Sequence, residues 1–273
     1  MTTGRKRKVV LVVVAHGDDM EFLAGGTVAR FVDEKGYDVY EYILTDNSKG
    51  SYRLGPAELA GASAREAEEA GRVLGLRAVR FEGYADGELN AEPVNAIRGK
   101  IMAVIREVKA DIVMSWDPFA PYEGHPDHRV VAMASLEAAS FSGNPRFHPE
   151  HAHPPHPVTE AYWFAKSPTN ARCFVDISST IDKKLEALLK HDTQMALTVD
   201  GILQEARALG VSVPGLEQAA EAGAHGALMD AGVRAFCART GAQAGLPVAE
   251  QFRYERLGML DTVLGAPAIE PDF

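Results

Sequence analysis

Residues 9–15 read Val-Val-Leu-Val-Val-Val-Ala, an unbroken apolar run dominated by β-branched side chains. A strand with one wet face alternates apolar and polar residues; a strand buried on both faces does not. The run therefore predicts a central strand of a parallel sheet with helices above and below it. The basic stretch Arg5-Lys6-Arg7-Lys8 just before it gives a superficial likeness to a secretion signal. The apolar run is at the short limit for such a signal and ends on His16-Gly17-Asp18-Asp19, which a buried strand explains better.

Beyond this run the chain alternates in kind. Residues 27–35 have helical spacing after Gly25-Gly26, and residues 37–44 read as a strand. Residues 57–74 form an Ala/Glu-rich helix closed by Gly75, and residues 78–81 form a short strand. Residues 92–109 place Ile97, Ile101, Val104, Ile105 and Val108 on one helix face. Residues 111–116 are another strand and 126–141 another helix. Strands alternating with helices predict an α/β fold, a Rossmann-like parallel sheet with helices on both faces.

The pattern then changes. Residues 143–157 are a Pro- and His-rich loop that could act as a lid, 159–166 and 171–177 look like strands, and 180–197 reads as one helix. Residues 199–245 are helical pieces broken by Pro214 and several glycines, while 248–257 fit strand or helix equally. This divides the chain into a catalytic core, residues 1–195, and a mostly helical C-terminal elaboration, residues 196–273. Within the latter, residues 196–246 are a candidate for shaping specificity or for the interface of a homo-oligomer.

Composition narrows the partners. With 28 Lys and Arg against 38 Asp and Glu, the net charge of −10 argues against general nucleic-acid binding. No apolar run reaches 18 residues, so no membrane-spanning helix is expected. Cys173 and Cys237 stand far apart, which excludes a disulfide framework or Cys-based zinc site and suits a reducing cytoplasm.

The chemistry concentrates in two stretches. Ala15-His16-Gly17-Asp18-Asp19-Met20-Glu21 lies just past the first strand, where open α/β sheets bind ligands. Imidazole and carboxylate are good zinc donors. His16 and Asp19 can turn toward one point, with Asp18 facing a water between them. The alternative is that Asp18 or Asp19 merely caps the next helix. Gly124-His125-Pro126-Asp127-His128-Arg129 lies beyond the strand at 111–116 and opens a helix, with Pro126 suited to its first turn. His125 and His128, three residues apart, can face one side, and Asp127 is a local candidate to set a histidine tautomer. Here too the bland reading is a helix cap. Two such loops past strands of one sheet reinforce each other. His16, Asp19 and His128 would supply two imidazoles and one carboxylate, leaving a fourth position for water at one zinc ion per chain. Asp18 and His125 remain for acid–base work.

These motifs resemble the LmbE-like, or PIG-L, zinc-dependent de-N-acetylases. That family carries an Ala-His-Pro-Asp-Asp-Glu loop and a later His-Pro-Asp-His motif. Here the first reads Ala-His-Gly-Asp-Asp-Met-Glu and the second is intact at 125–128. Further matches are Gly25-Gly26-Thr27, residues 83–89, Val175-Asp176-Ile177 and Lys184…His191…Gln194, so the resemblance covers roughly residues 8–197. It implies that His16, Asp19 and His128 hold zinc, Asp18 is the general base, His125 stabilises the oxyanion and Asp127 orients a histidine. The implied activity is hydrolysis of the acetyl or longer acyl amide of an N-acylated glucosamine-type conjugate. Competing classes are a Rossmann-like ligand-binding module, opposed by the absence of GxGxxG and by the acidic first loop, and a non-catalytic metal-binding protein.

Two positions depart from the pattern: Gly17 replaces the usual Pro, and Ser63 stands where the family often has a substrate-contacting Arg. Lys49, Arg53 and Arg65 are candidates to replace it, or are solvated charges. Asp86 could bond a sugar hydroxyl or simply form a turn. Trp116, Phe119 and Tyr122 could wall the pocket, with Trp116 alternatively core. His148, His151, His153 and His156 lack ligand spacing and read as a solvated loop. His191 and Gln194 match the family but have no role readable from sequence.

Overall fold

The computed structural model describes residues 7–265, 267 and 271. Strand β1 (Val9–Val14) shows why its sequence does not alternate. Val10, Val12 and Val14 pack into one hydrophobic core, whereas Leu11 and Val13 pack into a second core on the other face. Both cores are dry, so both sets of side chains are apolar.

The chain continues through α1 (Asp19–Asp33), β2 (Asp38–Thr45), α2 (Pro56–Leu74) and β3 (Ala78–Tyr84). After a short 3-10 turn at Leu89–Ala91 come α3 (Val94–Val108), β4 (Ile112–Trp116), α4 (Pro126–Phe141), β5 (Glu160–Phe164) and β6 (Cys173–Asp176). The last elements are α5 (Ile181–Leu188), α6 (Asp192–Ala208), α7 (Pro214–Glu221), α8 (His225–Ala242), β7 (Ala249–Arg256) and α9 (Leu260–Leu264). Among the described residues seven strands form one sheet in the order β3-β2-β1-β4-β5-β7-β6. The first five are parallel, and β7 runs antiparallel between β5 and β6. This is the expected α/β class with a strand and helical elaboration. The order reverses between β1 and β4, and the crevice beyond their carboxyl ends is where such sheets bind ligands.

Three local expectations are corrected. First, α1 starts at Asp19, eight residues before the expected 27, and contains Gly25 and Gly26. A Cβ on Gly26 would lie 2.8 Å from the Ile177 side chain, and one on Gly25 would lie 3.2 Å from Lys184 Cγ. The glycines therefore admit close packing rather than end a loop. The Gly26 and Thr27 N–H groups donate to the Glu250 carboxylate at 2.9 and 2.7 Å. Lys184 Nζ donates to Glu250 at 2.5 Å and to Phe22 O at 2.7 Å, so a buried ion pair holds the middle of α1.

Second, residues 180–197 form two helices, α5 and α6, which meet at a turn before the buried His191. Residues 248–257 resolve as β7; its charges Glu250 and Arg253 are paired with Lys184 and Asp117, which obscured the alternation. The division expected at residue 195 falls within α6, and β7 returns to the sheet.

Third, the 143–157 loop is pinned rather than free. Arg106, 2% exposed, donates to the carbonyls of Ser142, Asn144, Phe147 and His148 at 2.8–3.1 Å. A loop whose carbonyls share one buried guanidinium is a fixed element, not a lid, and none of its residues lines the cleft at the strand ends.

Candidate active site

The loops after β1 and β4 meet over the crevice. His16 Nδ1 lies 3.1 Å from His128 Nε2, and Asp19 Oδ1 lies 3.3 Å from that His128 nitrogen and 3.8 Å from His16 Nδ1. Ligands of a tetrahedral zinc at ~2.0–2.2 Å stand roughly 3.3–3.6 Å apart, so the three atoms have the spacing of a shared ion. Asp19 is aimed by its other oxygen, Oδ2, which accepts from the N–H groups of Ala15 and His16 at 3.0 Å and from Trp116 Nε1 at 2.9 Å.

The opposite nitrogen of each histidine meets a carboxylate. His16 Nε2 lies 3.1 Å from Asp86 Oδ1 and 3.6 Å from Asp127 Oδ2; His128 Nδ1 lies 3.1 Å from Glu123 Oε1. Such partners fix the tautomer that turns the free nitrogen toward a metal. His16, Asp86, His125 and Asp127 also lie close enough to share an ion. However, Asp127 already accepts from Gly87 N and Leu89 N, and Asp86 accepts from Lys49 N. Their geometry is that of supports, and the donor set fits a metal on the Nδ1 side of His16.

The charge balance agrees. Burial pushes the His16 pKa down, yet hydrogen bonds with Asp127, Asp19 and Asp86 raise it well above its ordinary value. Burial likewise opposes the rise at His128, where the Asp19 charge and contacts with Asp19 and Glu123 prevail. Burial works against ionising Glu123, but His128, the His125 N–H and Lys166 hold its pKa at about 2. The surroundings thus favour an added positive charge between the imidazoles.

Asp18 holds the N-cap position of α1 but makes no side-chain cap hydrogen bond; it lines the cleft instead. Burial and the neighbouring Asp19 raise its pKa, against the pull of His191 and His16. His125 does cap its helix: Nδ1 accepts from Asp127 N at 3.2 Å. Its neutral ring then carries the proton on Nε2. Its pKa is lowered by burial and by the charges of His16 and His128, which keeps it neutral.

The other expected positions separate. Trp116 is 2% exposed, stacks on His128 at 3.8 Å between ring centroids, and lines the cleft, so it is wall and core at once. Asp86 lines the cleft and supports His16, with one oxygen on His16 Nε2 and the other accepting from Lys49 N. Tyr122 is 96% exposed and lines no wall, and Phe119 lies under Arg253. Arg65 is exposed on α2 and also lies outside the cleft. Its placement comes from helical geometry: Ser63 points inward and bonds Asn47, and a residue two positions on points away. Arg53 pairs with Asp200, while Lys49 lines the cleft and pairs with Glu88.

A family model described as GlcNAc-PI de-N-acetylase, PIG-L, matches residues 11–139. The chain is 34% identical over 192 residues to a diacetylchitobiose deacetylase of Thermococcus kodakarensis, covering 68% of this chain and 70% of that one. The chain belongs to the PIG-L family. It is also 29% identical over 261 residues to a 1D-myo-inositol 2-acetamido-2-deoxy-alpha-D-glucopyranoside deacetylase of Rhodococcus erythropolis, covering 74% of this chain and 85% of that one. Among solved structures, an inhibitor complex of N,N'-diacetylchitobiose deacetylase from Pyrococcus horikoshii matches with a TM-score of 0.73 and 25% identity. That match spans 91% of this chain and 84% of the other.

Membership in the PIG-L family gives the departures a structural context. A Cβ at Gly17, where the family has Pro, would lie 3.2 Å from Ala67 Cβ and 3.5 Å from His191 Cε1. His191 thus packs behind the first loop, with Nε2 3.7 Å from Glu21 Oε2. Gln194 bonds Gly50 O and lines the cleft. Sequence reasoning missed Glu123, which lies in irregular chain where no periodicity points to it. It also missed Phe22 and Leu23, whose spacing from Asp19 on a helix beginning at residue 19 would have placed them beside the site.

Proposed function

We propose that this protein is a zinc-dependent amidohydrolase that removes the acyl group from the amine of an N-acylated glucosamine-type conjugate. One observation carries the reading: two imidazole nitrogens and one carboxylate oxygen converge at 3.1–3.8 Å, each on a residue braced from behind. The family membership and the amino-sugar substrates in the names of the relatives support it.

In this reading His16, Asp19 and His128 hold one zinc ion per chain. When bound, the metal supplies Lewis acidity that polarises an amide carbonyl and acidifies water. Asp18, free of any capping bond, takes the proton from the attacking water. The water oxygen joins the acyl carbon, the C–N bond breaks, and Asp18 returns the proton to the leaving nitrogen. His125 donates from Nε2 to the carbonyl oxygen as negative charge develops there. Asp127 orients His16, across the crevice from its own loop. The products are a carboxylate and a free amine.

The division at residues 1–195 and 196–273 then has a functional meaning. The first part supplies ligands and acid–base groups; the second supplies cleft-lining side chains from α6 and α8. Among the described residues no helix is long and apolar enough to cross a membrane. The free thiols Cys173 and Cys237 suit the cytoplasm.

The test combines metal analysis of the purified protein with amine release from N-acylglucosamine derivatives. Asp18→Asn should retain the metal and lose about 10²–10⁴-fold in kcat. Near-normal turnover with metal retained would reject Asp18 as the base, because Asn keeps the shape of Asp but cannot take the proton.

A further inference from the structure

The amide in the proposed reaction has a sugar side and an acyl side, and the cleft is lined by both polar and apolar side chains. Asn47, Lys49 and Gln194 bring polar groups to its lining. Phe22 and Leu23 of α1, Leu197 and Ile202 of α6, and Val233 and Phe236 of α8 give it an apolar wall. The apolar wall begins at the metal ligands, since Phe22 and Leu23 come three and four residues after Asp19 on one helix face. Ile202 and Phe236 remain 45% and 37% exposed, so this wall stands open to solvent. Open apolar surface continuous with a reaction centre is surface that a ligand covers.

We infer that this wall takes a hydrocarbon N-acyl chain, and that the substrates are amino-sugar conjugates carrying a medium-length fatty acyl amide. The inference rests on the proposed deacylase reading. The scissile carbonyl must sit at the ligand cluster, and from there the two halves of the substrate diverge. Sugar hydroxyls require hydrogen-bonding groups, which the run from Phe22 and Leu23 to Val233 and Phe236 lacks, and that run suits the acyl side. The cleft volume of about 960 Å³ is near the top of the ~300–1,000 Å³ range of small-ligand pockets, and an acetylated sugar would fill only part of it. The apolar stripe on α8 runs from Met229 to Phe236 and meets Arg239 one turn later at the exposed rim. Seven helical steps span roughly 10 Å, the reach of about eight bonds of extended chain. The reaction is still hydrolysis: water supplies OH to the acyl carbon and a proton to the nitrogen, releasing a fatty carboxylate and the amine.

The test uses the full-length, zinc-loaded protein and methyl glycosides of glucosamine bearing N-acetyl, N-butanoyl, N-octanoyl and N-dodecanoyl groups. We expect kcat/KM to rise about 2–4-fold per added methylene and to level off near eight to ten carbons. Ile202→Glu and Phe236→Glu, at half-exposed positions, should reduce the octanoyl-to-acetyl ratio at least about tenfold with the circular dichroism spectrum unchanged. N-acetyl cleavage with no gain along the series overturns the inference and leaves the deacylase reading standing. So does a gain confined to N-acetylglucosamine carrying an octyl chain on its anomeric oxygen. Failure to cleave any member defeats the deacylase reading; calorimetry then still reads the wall, and equal binding of the N-octanoyl and N-acetyl compounds overturns the inference as well.

Discussion

Among the described residues, histidines lie close enough to share an ion in two places: His16, His125 and His128 in the crevice, and His148 with Glu150 and His151 in the pinned loop. In the crevice, the back of His16 meets Asp86 and Asp127, and the back of His128 meets Glu123. In the loop, His148 and His151 stack at 5.0 Å, and His151 Nδ1 lies 3.1 Å from Arg106 Nη1. A guanidinium donates and never accepts, so it occupies that nitrogen and opposes a second cation beside it. The comparison teaches that neighbouring charge, rather than the density of histidine, separates a metal centre from a structural tie.

The largest expected effect tests that separation directly. His16→Ala and His128→Ala should each abolish stoichiometric metal binding and activity, while His148→Ala and His151→Ala should leave metal content unchanged, as measured by elemental mass spectrometry. Loss of metal from the loop variants would reverse the comparison. Next comes Arg106→Met, which strands buried carbonyls that one guanidinium now satisfies. It should cost about 2–4 kcal/mol in urea unfolding with metal content preserved. Glu123→Gln keeps the shape but removes the charge behind His128; metal affinity should fall about 10–100-fold in competition with a chelator. An unchanged affinity would make Glu123 a bystander.

Much of this was legible in the residues. The β1 run and the alternation after it specify the parallel sheet, because dryness on both faces leaves no choice of side chain. The meeting of His16, Asp19 and His128 was legible because the loop after β1 and the start of α4 both lie at the carboxyl edge of neighbouring strands, where topology does the convergence. What was not legible depends on distant chain. Gly25 and Gly26 resemble a helix boundary until Ile177 and Lys184 are seen packed against them. Asp127 looks like the partner of an adjacent histidine, yet its carboxylate lies 3.6 Å from His16 Nε2, of the other loop. Tyr122 comes after an apolar strand end as a wall residue would, but its backbone is left-handed, with φ of 64°, and its side chain stands in solvent.

The smallest effect is also the sharpest discriminator, since it reads the sign of charge at each cluster. In chelator-treated protein, the Asp19 charge and contacts with Asp19 and Glu123 outweigh burial and raise the His128 pKa above the ordinary value near 6.5. Burial, Arg106 and the neighbouring His148 lower that of His151. The two histidines should therefore titrate on opposite sides of that value when monitored by their ring-proton NMR shifts. Their linkage to stability has opposite sign as well. Folded His128 binds protons more tightly than the unfolded chain, so its contribution is present at low pH and is lost as pH rises through the folded pKa. Folded His151 binds them less tightly, so its contribution is present above the unfolded pKa and is lost as pH falls. Added zinc competes for the same ring nitrogen of His128 and should remove its titration from the neutral range, with the His151 curve unmoved. If both rings titrated on one side of the ordinary value, or if zinc shifted the His151 curve, charge environment would no longer distinguish the two clusters.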